Sequence, residues 1–189
     1  MAWNPLAHRQ LVSKRCITRL SPVLKKLPVP YAITGAAAMQ VYMPQRETYG
    51  IDVLVPEEHA ATARKFLRRH SRAHDQVSDD DYYSLRWTKT AICQRNSLLS
   101  WVPQALDAAQ QGTSYRESRI PILPLPWLIL SKVTTASRQD FLDVARLIVR
   151  TTPAQLDTSV SLIKEHLPEA LDELRALYRV GKTLSLIHI

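Results

Sequence analysis

The stretch TGAAAMQVYMPQRETYGIDVLVP, residues 34–56, predicts the centre of the fold. An apolar run ends at Gly35, and a short segment rich in alanine, residues 36–42, has helical character. A second apolar run covers residues 50–56, and its low polarity is typical of a strand that is buried on both faces. A strand, a short helix and a second strand in this order indicate an α/β sheet.

Asp52 is the acidic residue of the second predicted strand. A carboxylate in an apolar strand is costly unless it has a partner. Two interpretations of Asp52 are open. Either it is a buried aspartate that accepts hydrogen bonds from backbone N–H groups or from Arg46, or it belongs to a metal or phosphate site.

The remaining sequence predicts further helices and short strands. The predicted helices cover residues 5–27, 56–74, 103–112, 126–150 in two pieces around Ser137, and 168–179, while strands are predicted after an acidic turn at residues 79–81. We expect an α/β (α+β) fold in which a mixed β-sheet is flanked by helices and followed by a helical C-terminal part. The expected domains are an N-terminal helix (1–28), an α/β core (29–125), a helical part (126–180) and a tail whose status is left open (181–189).

The composition favours a soluble protein with an anionic partner. The chain has 189 residues, 46% of them hydrophobic, and a formal net charge of +8. This charge fits nucleic acid or nucleotide phosphates as partners, although a basic soluble surface explains it equally well. Cys16 and Cys93 are far apart, so we expect reduced thiols, a cytoplasmic location and no zinc site. We expect no signal peptide and no membrane partner, because no apolar run is long enough.

Two segments of the sequence together resemble a known family, the minimal nucleotidyltransferases. The branch they resemble contains the nucleotidyltransferase toxins of abortive-infection systems. In the first segment the matching residues are Gly35, Arg46, Thr48, Ile51 and Asp52. In the second segment, LSKVTTASRQDFLDVARLI, they are Lys132, Ala136, Arg138, Asp140, Asp143 and Leu147. The resemblance covers roughly residues 29–150.

The resemblance implies transfer of a nucleotidyl group from a nucleoside triphosphate, with Mg²⁺, to RNA or protein, and it implies a cognate antitoxin as a partner. Asp52 is implied as a catalytic residue and metal ligand, and Lys132 as a catalytic residue that counters phosphate charge. The implied nucleotide- and phosphate-binding residues are Thr34, Gly35, Ala36, Arg46, Thr48, Lys132 and Arg138. A glycine turn before a helix suits this role, since helix N-termini bind anions.

The sequence departs from the family pattern at two expected carboxylates. Gly50 occupies the position of the first acid of a D-x-D pair, and the third acid is expected near Asn96 or Ser97. A single acidic ligand is expected to hold Mg²⁺ weakly. Three alternatives therefore stay open: a weakened or lost activity, a non-catalytic RNA- or protein-binding module that retains the fold, and a subunit whose site another chain completes.

The predicted helix at residues 56–74 carries a cluster of positively charged residues. Its members are Arg64, Lys65, Arg68, Arg69 and Arg72. One interpretation is a surface that follows RNA phosphates, such as those of a tRNA acceptor end. The other is a solvated helix end whose positive charges interact favourably with the helix dipole.

Overall fold

The computed structural model of this protein describes residues 20–43, 50–70, 75–77, 82–87, 90–97, 99–112 and 119–187. The chain divides into two compact units. We call the first, which comprises residues 1–41 and 45–123, the sheet unit. The second comprises residues 42–44 and 124–189, and we call it the helical unit. Among the described residues, no helix combines the length and apolar character needed to span a bilayer.

Five strands form the sheet. They are β1 (Ala32–Thr34), β2 (Gly50–Pro56), β3 (Asp75–Val77), β4 (Tyr82–Trp87) and β5 (Thr90–Ser97). Their order across the sheet is β1-β2-β5-β4-β3. Strand β2 is antiparallel to β1 and parallel to β5, whereas β4 is antiparallel to both of its neighbours. The sheet is therefore mixed, which confirms the predicted fold class.

Strand β2 lies in the interior of the sheet, between β1 and β5. Ile51, Val53 and Val55 project from one face and are fully buried, with 0% exposure. Leu54 projects from the opposite face and is also buried. Because alternate residues of a strand face opposite sides, both faces of β2 are covered, as the apolar run predicts. Asp52 is half-buried.

Several helices belong to the sheet unit. They are α1, whose described residues are 20–24, α2 (Gly35–Tyr42), α3 (Ala60–His70), which a 3₁₀ turn at Glu57–His59 precedes, and α4 (Val102–Gln111). Helix α2 follows β1 directly, and its residues Ala37 and Ala38 are fully buried. Their small side chains allow the helix to lie close to the strand. The short helix predicted from the alanine-rich segment is confirmed.

Residues 120–123 are extended and pair with β1. The N–H of Ile33 donates to the carbonyl of Pro121 at 2.9 Å, and the N–H of Leu123 donates to the carbonyl of Ile33 at 3.0 Å. The bridge between Ile33 and Ile122 is parallel. This segment satisfies the backbone of β1 on the side that β2 leaves open.

The helical unit contains α5 (Leu125–Thr135), α6 (Arg138–Ile148), α7 (Pro153–His166), a 3₁₀ turn at Pro168–Ala170, and α8 (Leu171–Ile187). The break between α5 and α6 is built by two residues. Ala136 adopts a left-handed conformation with φ 49°, and the hydroxyl of Ser137 accepts a hydrogen bond from the N–H of Asp140. The predicted division around Ser137 is confirmed.

The end of the last helix was predicted wrongly. The sequence predicts a helix at residues 168–179, whereas α8 continues to Ile187. Glycine inside a helix costs about 1 kcal/mol relative to alanine, so Gly181 indicates an end. In the structure a Cβ at Gly181 would lie 2.1 Å from the carbonyl oxygen of Ala145. Close packing of α8 on the backbone of α6 requires the glycine and offsets its cost.

Helix α7 was not predicted at all. Its apolar residues form no strong stripe, but its start carries a clear signal. Thr152 and Gln155 form a capping box, and Pro153 occupies the first turn. The combination of a capping threonine, proline and a glutamine three residues later is a sequence signature of a helix N-terminus.

Some predictions concern residues outside the described ranges. These are residues 5–19 of the N-terminal helix, the acidic turn at residues 79–81, and Arg46, Thr48 and Arg72.

Candidate functional site

Thr34 and Asp52 lie directly opposite each other on β1 and β2. Residues directly opposite in an antiparallel pair project from the same face of the sheet. Thr34 ends β1, and helix α2 begins at the next residue, Gly35. The hydroxyl and the carboxylate therefore share one face of the sheet, beside the start of a helix.

Gly35 allows the carboxylate of Asp52 to lie against the strand-to-helix turn. The φ of Gly35 is 61°, in the left-handed region that residues with a side chain rarely adopt. A Cβ at this position would lie 1.9 Å from Oδ2 of Asp52 and 2.8 Å from its Cγ. Both the backbone conformation and the space therefore require glycine here.

The start of α2 is a favourable place for negative charge. The first N–H groups of a helix have no acceptor within the helix, and the helix dipole adds partial positive charge there. A carboxylate or a phosphate is stabilised at such a position. Asp52 is half-buried, so it is not sealed within the core. Both interpretations of Asp52 agree with this geometry, and they differ in whether a ligand joins it.

The hydroxyl group of Thr34 is a second polar group at this place that can contact an ion or a phosphate. Thr34 is 1% exposed, and its Oγ1 has no hydrogen-bond partner within the described ranges of the chain. Buried hydroxyls in proteins nearly always have a partner. A bound ion or phosphate would supply one. Together, Thr34, Gly35 and Asp52 form what we call the β1–α2 site.

The strands around Asp52 supply no second carboxylate. Gly50 stands two residues before it, and strand β5, TAICQRNS, contains no acidic residue. The register places Cys93 opposite Asp52 and Asn96 opposite Val55. Strand β3 does begin with an aspartate, but β5 and β4 lie between β3 and β2. In the described part of the chain, no group of three His, Cys, Asp or Glu residues has a metal-binding arrangement.

The oxygen atoms of the β1–α2 site fit Mg²⁺ that is bound together with a nucleotide. Magnesium in nucleotide-binding proteins keeps several waters and takes one or two carboxylates together with substrate phosphates. Asp52 and Thr34 offer one carboxylate and one hydroxyl on the same face. They suit a metal that arrives with a nucleotide, rather than one held by the protein alone.

The second predicted segment forms a buried ion cluster in the helical unit. The Nζ of Lys132 on α5 donates to Oδ1 of Asp140 at 2.6 Å and to Oδ2 of Asp143 at 2.8 Å, both on α6. Lys132 is 5% exposed and Asp143 is fully buried. The side chain of Gln139 donates to the other oxygen of Asp143 at 3.1 Å. We call Lys132, Asp140 and Asp143 the α5–α6 ion cluster.

Asp140 is held in its charged form by its neighbours. Burial alone raises the pKa of this carboxyl group, but hydrogen bonds from Lys132 and Ser137 outweigh that effect and lower the pKa below its ordinary value. Oδ2 of Asp140 accepts from the hydroxyl of Ser137 and lies 2.9 Å from Oγ1 of Thr135. The ion pair of Asp140 is with Lys132.

This geometry favours a structural role for Lys132 over the predicted contact with phosphate. Its ammonium group is buried and already serves two carboxylates. Arg138 is the first residue of α6 and is exposed. The structure places the predicted site residues Thr34, Gly35, Ala36 and Asp52 in the sheet unit, and Lys132 and Arg138 in the helical unit. Sequence reasoning did not identify Ser137 and Thr135 as partners of Asp140, although Ser137-x-x-Asp140 is a capping pattern.

The predicted basic residues on α3 are divided by the packing of the helix. Ala60, Ala63 and Leu67 face inward and are buried. Lys65, Arg68 and Arg69 are exposed, whereas Arg64 is half-buried.

Comparison with known proteins supports the fold. No protein-family model matches the chain, and no curated protein does. The solution structure of the antibiotic-resistance factor ANT(2'')-Ia is similar with a TM-score of 0.50 and 12% identity, over 93% of this chain and 95% of that one. The crystal structure of ANT(2'')-Ia in complex with adenylyl-2''-tobramycin is similar with a TM-score of 0.50 and 12% identity, over 88% and 96%. ANT(2'')-Ia is a nucleotidyltransferase, and the chain shares its fold.

Proposed function

We propose that this protein binds a magnesium–nucleoside triphosphate at the β1–α2 site and transfers its nucleotidyl group to RNA or protein. In this transfer an acceptor hydroxyl loses its proton and attacks the α-phosphate, and pyrophosphate leaves. The observation that carries this proposal is the close approach of the Asp52 carboxylate to Gly35 at the start of α2. The shared fold adds support, since ANT(2'')-Ia has been crystallised with adenylyl-2''-tobramycin, a product of this kind of transfer.

Each residue of the site has a distinct part in the proposal. The N–H groups at Gly35 and Ala36 bind phosphate oxygens at the helix start. Asp52 and the hydroxyl of Thr34 hold the magnesium that accompanies the nucleotide. Bound magnesium supplies positive charge that neutralises the phosphate oxygens during transfer. Further contacts to the nucleotide from Arg46 and Thr48 and a cognate antitoxin belong to the same proposal through the family resemblance. A cytoplasmic location, expected from the two separate cysteines, is also part of it.

A second candidate function is a non-catalytic module that binds nucleotide or RNA. The observation that favours it is the lack of acidic residues at position 50 and in β5. With one carboxylate, the site places less negative charge around a metal than a D-x-D pair does. Nucleotide binding without transfer is the expected behaviour of such a site.

Label transfer distinguishes the two functions. The protein is incubated with each nucleoside triphosphate labelled at the α-phosphate, magnesium and total RNA, and both RNA and protein are then analysed for label. The transferase proposal predicts labelling that Asp52→Asn abolishes. Asp107→Asn, the same substitution at an exposed position on α4, is the matched control and leaves labelling unchanged. Binding of nucleotide or RNA by the protein without any labelling supports the non-catalytic module and contradicts the transferase.

A further inference from the structure

The outer face of α3 concentrates positive charge. Of the eleven residues of this helix, AATARKFLRRH, four are Arg or Lys and none is acidic. Lys65, Arg68 and Arg69 are exposed, while Ala63 and Leu67 anchor the opposite side of the helix in the core. The exposed cations therefore occupy one surface on a helix that is firmly packed.

The spacing of these cations works against the stability of the helix. Arg69 follows Lys65 by four residues, so the two side chains are neighbours on the helix surface, and like charges at this spacing repel. The helix dipole favours cations in the last turn, which accounts for Arg68 and Arg69. It does not account for Lys65, which lies in the middle of the helix. A polyanion bound across this face would remove the repulsion.

An aromatic ring follows Arg69 at the end of α3, on the flank of the helix rather than among the three cations. The imidazole of His70 stacks on Phe66, with ring centroids 4.2 Å apart and an angle of 27° between the planes. Its Nδ1 lies 2.9 Å from the carbonyl oxygen of Phe66, and because a carbonyl only accepts, Nδ1 donates. His70 is exposed. One face of the imidazole is therefore covered by Phe66, and the ring is held in place at the protein surface.

We propose that this outer face of α3 binds single-stranded RNA. Lys65, Arg68 and Arg69 contact backbone phosphates, and an unpaired base stacks on the ring of His70. Single-stranded RNA fits better than a duplex, because only unpaired bases expose their faces to an aromatic side chain. The inference rests on the proposed function in one respect: it names this RNA as the acceptor of the nucleotidyl group.

The test measures binding alone, by fluorescence anisotropy of a short labelled single-stranded RNA, without nucleotide or magnesium. One variant combines Lys65→Gln, Arg68→Gln and Arg69→Gln. The matched control combines Lys164→Gln, Arg175→Gln and Arg179→Gln, which remove the same charges from exposed positions of the helical unit. We expect the α3 variant to bind about tenfold more weakly or worse, with a salt slope reduced by about 2, and the control to bind like the wild type.

His70→Ala tests the stacking contact. We expect it to weaken binding of single-stranded RNA about tenfold and to leave any binding of duplex RNA unchanged. The proposal is overturned if both triple variants lose affinity equally, if the α3 variant binds like the wild type, or if polyglutamate competes as well as RNA, which would indicate an acidic protein partner. The binding assay contains no nucleotide, so its outcome is independent of transfer. Binding that depends on α3, together with an absence of label in the separate transfer assay, would overturn the proposed transferase function and leave this surface standing.

Discussion

The carboxylate of Asp52 occupies the space that a side chain at position 35 would need. A Cβ on Gly35 would lie 1.9 Å from Oδ2 of Asp52. This relationship joins the interior strand β2 to the start of α2, and it places a half-buried carboxylate against the strand-to-helix turn at Gly35. The hydroxyl of Thr34 projects from the same sheet face, so three adjacent chemical groups define the β1–α2 site.

Gly35→Ala is expected to destabilise the protein by about 2 kcal/mol or more. A side chain in the left-handed region costs roughly 1–2 kcal/mol, and displacement of the carboxylate adds to this. The free energy of unfolding in urea measures the effect. In the double variant Gly35→Ala, Asp52→Ala the clash disappears but the backbone strain stays. Its destabilisation should therefore be smaller than the sum for the two single variants by about 1 kcal/mol. Strict additivity would show that the carboxylate does not occupy this space.

Gly50→Asp is expected to strengthen divalent-cation binding by about tenfold. Residues at i and i+2 of a strand share a face, so the new carboxylate would join Asp52 and increase the negative charge that attracts the ion. Calorimetric titration with Mg²⁺ or Mn²⁺ alone measures the affinity. Gly50→Asn has the same shape without the charge and serves as the control. Equal affinity for both variants would show that a carboxylate at position 50 and Asp52 do not bind a cation together.

Lys132→Met is expected to destabilise the protein by about 3 kcal/mol. Removing one partner of a buried ion pair leaves the other charge without compensation. Here the charge left behind is that of Asp143, which is fully buried. Lys164→Met, at an exposed position on α7, should change the free energy of unfolding by less than about 0.5 kcal/mol. A similar, small effect of both variants would contradict the structural role of Lys132.

Asp140 makes the stability of the helical unit depend on pH. Because its pKa is lowered in the folded state, its contribution is fully present above the pKa of the unfolded chain, about 3.9, and is lost as the pH falls through the folded-state value. Asp140→Asn should therefore lower the thermal midpoint at neutral pH, and the difference from the wild type should shrink below about pH 4. A difference that stays constant down to strongly acidic pH would contradict the ion cluster.

Much of the sheet unit follows from local sequence patterns. The apolar run around Asp52 predicts an interior strand, and the small residues after Gly35 predict a closely packed helix, because burial and side-chain size are properties of each segment alone. Packing between distant segments is not visible in this way. In the sequence alone, Gly181 indicates a helix end. In the structure it packs against Ala145, a residue 36 positions earlier in the sequence.

The residues of the candidate site were proposed from the family resemblance, which says nothing of their arrangement. The structure shows that Thr34, Gly35 and Asp52 lie together. The same resemblance implied a contact between Lys132 and phosphate, since a sequence motif does not reveal burial or existing partners. Only the structure shows that its ammonium group lies between Asp140 and Asp143.

Calorimetric titration with each of the nucleoside triphosphates in the presence of magnesium tests the central claim most directly. We predict that the wild type binds at least one of them, that Asp52→Asn weakens this binding about tenfold or more by removing a charged contact, and that Asp107→Asn does not change it. If no triphosphate binds to the wild type, or if Asp52→Asn binds as tightly as the wild type does, the β1–α2 site is not a nucleotide site.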